Sequence, residues 1–256
     1  MKLAVTGKGG VGKTSFTALF ARLLKDKGKN VLLIDADPDM NLATVIGVPP
    51  EIQKKPISEL KELIAERTGV IPGTPAPLFK MNPKVDDIPD KYCTNYNDLK
   101  LIIMGTIKKG GGGCACPENA FLKNLLSYLI VATDEWVLLD MEAGIEHLGR
   151  GTAIGVDHMI VLVEPNLTSI ETAFRINKLS KDIGIKNLHV VGNKIRIPEE
   201  KIFIRDNLKS MNVLGFIDQS EVIKKISLNM ISLMDIDPEN LAPIENIYEK
   251  LNSIKH

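Results

Sequence analysis

Residues 7–14 read Gly7-Lys8-Gly9-Gly10-Val11-Gly12-Lys13-Thr14, with Ser15 next. A short apolar run at residues 3–6 leads in with strand character. Behind the loop, Phe16, Leu19, Phe20, Leu23 and Leu24 recur at helical spacing until Gly28. Strand, glycine-rich loop and helix in that order fit the pattern G-x-x-x-x-G-K-[ST]. In it the glycines let backbone N–H groups wrap phosphate oxygens, and the helix N-terminus adds partial positive charge. Lys13 is placed to reach the terminal phosphates, and the Thr14 hydroxyl to ligate Mg2+. The same residues also satisfy G-x-G-x-x-G through Gly7, Gly9 and Gly12, with Asp35 standing where a ribose-binding acid would. That dinucleotide reading leaves Lys13, Thr14 and a second acidic strand end at Asp140 unexplained. A mononucleotide phosphate site accounts for all three.

Working outward, strand-like runs at 31–35, 101–104, 136–140, 159–163, 189–192 and 213–217 alternate with helical stretches. This is the rhythm of an α/β fold: a mostly parallel twisted sheet with helices on both faces. One helix is expected from Ser169 to Gly184, its apolar positions including Ile170, Ala173, Phe174 and Ile176. Residues 70–100 break the rhythm with five of the fourteen prolines, Pro72, Pro75, Pro77, Pro83 and Pro89, and read as a surface insertion. Nothing divides the chain, so residues 1–256 are expected to form a single domain, with that insertion and a Cys-x-Cys loop at 110–117.

The 256 residues carry 32 basic and 32 acidic side chains, so the net charge is zero. A surface built for DNA or anionic lipid favours a cationic face, and the balance argues against both partners. No apolar run reaches the ~18 residues of a membrane span. The opening Met1-Lys2 leads straight into a strand and not a signal peptide. Three cysteines are too few for a disulfide scaffold, and reduced thiols in a cytoplasmic protein are the expectation.

Two acidic strand ends follow the loop. Asp35-Ala36-Asp37-Pro38 closes the second strand, and Asp140-Met141-Glu142-Ala143-Gly144 a later one. Carboxylates at the carboxyl edge of the sheet, beside bound phosphates, are what a metal and an attacking water need. Lys8 is surplus, because Lys13 already serves the loop's own nucleotide. Here the chain resembles the deviant Walker A ATPases, the class of MinD, ParA and the nitrogenase iron protein, whose motif is KGGxGK[ST]. The resemblance implies a P-loop ATPase that binds ATP with Mg2+. It implies that Lys8 crosses a dimer interface to the partner's nucleotide. It further implies that Asp37 orients or deprotonates water, that Asp35 and Asp140 support Mg2+, and that the Gly144 N–H senses the γ-phosphate. Asn193, followed by Lys194, resembles the class's adenine contact; an asparagine after a strand is equally a turn residue.

Cys114-Ala115-Cys116-Pro117 sits in a glycine-rich stretch beyond the 101–104 strand. Two thiolates this close can share one soft ion, but a closed zinc-type site wants four ligands. A two-fold dimer doubles the pair to four. Incidental thiols, a redox pair or part of an iron–sulfur site remain alternatives on spacing alone. The combination of KGGVGKT with Cys114-Ala-Cys-Pro-Glu-Asn119, Asp140–His147 and Glu164-Pro-Asn-Leu-Thr-Ser169 is similar to the CooC-type accessory ATPases. That resemblance implies ATP-driven homodimers that bind Ni2+ (or Zn2+) through paired Cys114 and Cys116 and assist nickel insertion into carbon monoxide dehydrogenase. Two rivals share the ATPase parts: a MinD- or ParA-like positioning protein, and an iron–sulfur electron donor resembling the nitrogenase iron protein. Against the first, the C-terminal stripe of Leu241, Ile244, Ile247, Tyr248, Leu251 and Ile254 carries mixed charges and is expected to dock on the body of the protein.

Overall fold

The computed structural model describes residues 1–72, 78–105, 117–143, 148, 153, 155–228 and 230–254. Eight strands form one sheet in the order β3-β4-β2-β5-β1-β6-β7-β8. They are β1 (Lys2–Gly7), β2 (Val31–Ala36), β3 (Thr94–Tyr96), β4 (Leu99–Ile103), β5 (Trp136–Met141), β6 (His158–Val163), β7 (Leu188–Ile195) and β8 (Asn212–Asp218). Every pairing is parallel except β3 with β4. This is the mostly parallel α/β sheet that the alternating runs imply.

Side chains alternate between the two faces of each strand, and each face carries its own core. Leu3, Val5, Val31 and Leu33 join one apolar cluster, and Ala4, Leu32 and Ile34 join the other. Helix α1 (Lys13–Asp26), the short α2 (Leu42–Ile46), α8 (Glu221–Ser227) and α9 (Ala242–Ser253) contribute to the first face. Helices α3 (Lys61–Thr68), α5 (Pro117–Val131), α6 (Leu167–Ile183) and α7 (Pro198–Asn207) cover the second. A sheet buried on both faces explains why its central strands read as unbroken apolar runs. Helix α9 docks as its stripe requires: Ile244, Ile247 and Leu251 are buried, and Tyr248 lies 5.8 Å from Trp136 and 6.1 Å from Phe20 between ring centroids. Among the described residues no helix is long and apolar enough to cross a membrane.

The structure departs from the sequence reading in three places. The insertion at 70–100 is not wholly superficial. Its last part holds α4 (Ile88–Tyr92) and the hairpin β3–β4, turned by Asn97 (φ 48°) and Asp98 (φ 59°). Two successive positive φ values make the kind of turn that matches strand twist, and it is usually signalled by Asn-Gly. Helix α6 starts before Ser169, because the Asn166 side chain accepts the Ser169 N–H at 2.9 Å and caps it. On the same helix Phe174 is exposed and not part of the core.

Candidate functional site

Parallel strands deliver their carboxyl ends to one edge, and the loop after β1 lies there between β5 and β6. Gly7 ends β1 at φ 149°, where a Cβ would stand 2.6 Å from the Leu162 carbonyl oxygen, so only glycine lets the two strands approach. Val11 is buried in the core and anchors the loop, while Gly12 (φ 97°) turns the chain into α1. No side chain caps α1, and its first turn carries no acid. Its leading N–H groups and dipole therefore face the cleft with no built-in anion, which suits a phosphate. The cleft measures about 930 Å3, and Gly9, Gly10, Lys13, Thr14, Ser15 and Asp37 are part of its lining. That volume lies in the range of sites that hold a small organic ligand.

Behind the lining stand two carboxylates. Asp35 and Asp140 are register partners across β2 and β5, and both are fully buried. Asp35 accepts the Leu42 N–H at 3.0 Å and the Asp37 N–H at 3.2 Å, yet burial pushes its carboxyl up to about 6. Neither Asp140 oxygen has a partner at hydrogen-bond distance, and burial raises that carboxyl to about 7, with Asp35 adding to the rise and the nearby Thr14 hydroxyl opposing it. A buried, unsatisfied acid is costly and persists where a ligand completes it. Asp37 faces the cleft instead, 3.5 Å from the Lys13 ammonium, both side chains being largely buried.

The other lysines are also engaged. Lys8 Nζ donates to the Thr168 hydroxyl at the start of α6, 2.8 Å away. Lys194 Nζ donates to the Gly10 carbonyl and to Glu164 Oε1, each at 2.6 Å. Asn193 Nδ2 donates to the Val11 carbonyl at 2.7 Å. Asn193 thus lies within β7, against the phosphate loop, and it also lines the cleft. Cys114, Cys116 and Gly144 lie outside the described residues.

Residues 2–233 match the CobQ/CobB/MinD/ParA nucleotide binding domain. The chain belongs to that family. It is a P-loop ATPase of the MinD/ParA class and of the CooC type. It is 44% identical to the carbon monoxide dehydrogenase accessory protein CooC of Rhodospirillum rubrum, over 93% of this chain and 91% of that protein. It is also 44% identical to an uncharacterized ATP-binding protein of Methanocaldococcus jannaschii, over 100% of this chain and 99% of that one. In fold it resembles the Aquifex aeolicus MinC:MinD cell division protein complex, with a TM-score of 0.71, 22% identity, and 100% and 97% of the two chains covered.

For a MinD/ParA-class ATPase the metal to be tested against this site is Mg2+. Among the described residues no group of three or more His, Cys, Asp or Glu is arranged to hold a metal alone. Mg2+ does not ask for that: it takes one or two oxygens from protein and the rest from phosphates and water. The Thr14 hydroxyl with Asp140 and Asp35 behind it is such a donor set, and the orphaned Asp140 oxygens are its best support. The ion would supply charge for the phosphates; Lys13 and the α1 N-terminus add to it. Lys194, Glu164 and Thr168 are site neighbours that sequence pattern alone does not single out. For Lys194 the nearest signal is its place directly after the Asn singled out at a strand end.

Proposed function

We propose that this ATPase is a metal-delivery factor: it dimerises on binding ATP, carries Ni2+ (or Zn2+) on Cys114 and Cys116 of both subunits, and assists nickel insertion into carbon monoxide dehydrogenase. The observation that supports this most is the pairing of a likeness to an accessory protein of that enzyme, over more than nine-tenths of both chains, with the Cys-x-Cys motif in this sequence. A plain ATPase does not need that pair.

The parts would work as follows. The amides of Gly9, Gly10, Val11 and Gly12, with Ser15 on the first turn, cradle phosphates whose charge Lys13 offsets. Lys13 is now satisfied by Asp37. Phosphate oxygens compete for the same ammonium, which frees the Asp37 carboxylate to orient the attacking water and take its proton. Thr14, Asp35 and Asp140 hold Mg2+ and its waters, Gly144 reads the γ-phosphate, and Asn193 meets the adenine edge. Lys8 leaves its own chain for the nucleotide of the partner, a type of contact worth roughly 10³–10⁵ in rate. Hydrolysis then opens the dimer and with it the four-thiolate site. Metal sites of this kind hold their ion by roughly 10–16 kcal/mol in model peptides, so release needs such a coupled change.

The test is a nickel titration of the full chain with and without a slowly hydrolysed ATP analogue, read together with molecular mass. One Ni2+ per two chains, lost in Cys114→Ser, is expected. Equal binding by a monomeric Cys114→Ser/Cys116→Ser variant would overturn the proposal. A brown protein with a cluster spectrum after anaerobic purification would favour the electron-donor reading instead.

A further inference from the structure

The end of β7 is built in an unusual way. Side chains of adjacent strand residues normally point to opposite faces, yet Asn193 and Lys194 both reach the phosphate loop and take the carbonyls of Val11 and Gly10. The backbone explains this. The register of β7 against β8 shifts between Gly192 and Ile195, and Lys194 sits in the left-handed region at φ 57°. A non-glycine residue held there is strained, and such bulges recur where a side chain must be re-aimed. The aim here is specific: the Lys194 ammonium bridges the Gly10 carbonyl and the Glu164 carboxylate, both at 2.6 Å. Glu164 is in turn held by Asn166, whose Nδ2 donates to Oε2 at 3.2 Å, and Asn166 Oδ1 accepts the Thr168 hydroxyl at 2.8 Å. Thr168 receives Lys8. The chain of contacts therefore leaves the loop at Gly10 and returns to it at Lys8.

We propose that Lys194 is a positioning residue for ATP turnover, with Glu164 as its anchor. It rests on the reading of residues 7–15 as the phosphate cradle. Occupying the Gly10 carbonyl with an ammonium offsets its partial negative charge and fixes that peptide, which leaves the loop's amides to the phosphates. Glu164 fixes the ammonium and links that setting to the head of α6. Lys194 lines the cleft beside Gly10 and acts through the backbone of Gly10, itself at φ 77°.

The experiment measures Mg-ADP affinity by calorimetry, ATP kinetics and the nucleotide-free thermal midpoint for Lys194→Met, Glu164→Gln and the double variant, all in the full chain. Lys194→Met should weaken Mg-ADP about tenfold, as expected for loss of one charge-assisted hydrogen bond to the loop. It should raise KM in step while kcat changes less, with the midpoint within a few degrees of the parent. Glu164→Gln should weaken binding by itself but add nothing in the Lys194→Met background, because the two act as one unit. Unchanged affinity in Lys194→Met, or additive losses in the double variant, would overturn the assignment. A drop in midpoint and kcat with KM intact would overturn it too, as the mark of a merely structural residue. If the parent chain itself binds no Mg-ADP, the phosphate-cradle reading falls first. If the parent binds and Lys194→Met binds equally, only the positioning role falls.

Discussion

Lys8 and Thr168 meet within one chain: the ammonium that the class directs toward a partner's nucleotide donates here to a hydroxyl 2.8 Å away, on the first turn of α6. The contact is exposed, so water can replace either partner at little cost. In the proposed dimer, engagement of Lys8 across the interface would still have to break it. Removing the acceptor in Thr168→Val should therefore tighten ATP-dependent self-association by a few-fold, the scale of one exposed charge-assisted hydrogen bond. Sedimentation at sub-saturating slowly hydrolysed ATP would read this. A weaker dimer in Thr168→Val would mean that Thr168 contributes to the interface and does not restrain Lys8.

Under its proposed role as a Mg2+ support, Asp140 would show the opposite balance, function held at the expense of stability. Its two oxygens are buried without hydrogen-bond partners, next to Asp35. Asp140→Asn removes the charge while keeping the shape. The nucleotide-free protein should gain roughly 1–3 kcal/mol at neutral pH. Turnover should fall by about 10–100-fold, as for loss of a group that supports the metal. Thermal melts without nucleotide and steady-state ATPase assays give the two readings. A destabilised Asn variant would show that the carboxylate is satisfied in the folded chain.

Much of this was legible beforehand because it depends on local rules. The loop at 7–15, its strand and its helix are a contiguous signal, and Asp35 and Asp140 stand at strand ends that alternation alone locates. The hairpin turn at Asn97-Asp98 escaped because these residues take positive φ without the glycine that usually announces it. The Lys194 bridge escaped for a different reason. It joins residues 184 positions apart in sequence through a bulge, and no periodicity encodes a bulge. Thr168 and Glu164 lie in the run Glu164-Pro-Asn-Leu-Thr-Ser169, but their partners are set only by how α6 meets the loop.

Helix α9 offers a test between a docked and a surface-seeking C-terminal helix. Leu251 and Ile247 are fully buried against the face that also holds Phe20. Leu251→Ala should cost about 2–5 kcal/mol in urea unfolding, the usual range for a buried leucine that leaves a cavity. Binding to anionic vesicles should be absent in the parent chain. A loss below ~0.5 kcal/mol would indicate a helix free to leave the body, as a membrane-targeting reading requires.

His158 and His189 form a buried pair on β6 and β7, Nδ1 of the first 3.0 Å from Nε2 of the second. Asn212 Nδ2 donates to His189 Nδ1 at 3.0 Å, so that nitrogen accepts and the proton sits on Nε2, facing His158. Burial, and then the neighbouring His158, lower the His189 pKa to about 4. A histidine with a depressed folded-state pKa binds its proton more readily when unfolded. Its neutral form therefore stabilises the fold fully above the unfolded value near 6.5, and that stability is lost as pH falls toward about 4. The loss should approach about 3 kcal/mol by linkage, at about 1.4 kcal/mol per pH unit. The raised Asp35 and Asp140 carboxyls work in the opposite sense over this window but act alike in both proteins. The urea midpoint of the parent chain should therefore fall relative to that of His189→Gln, which keeps a neutral polar group at the position. Parallel profiles for the two proteins would assign the acid sensitivity to other groups.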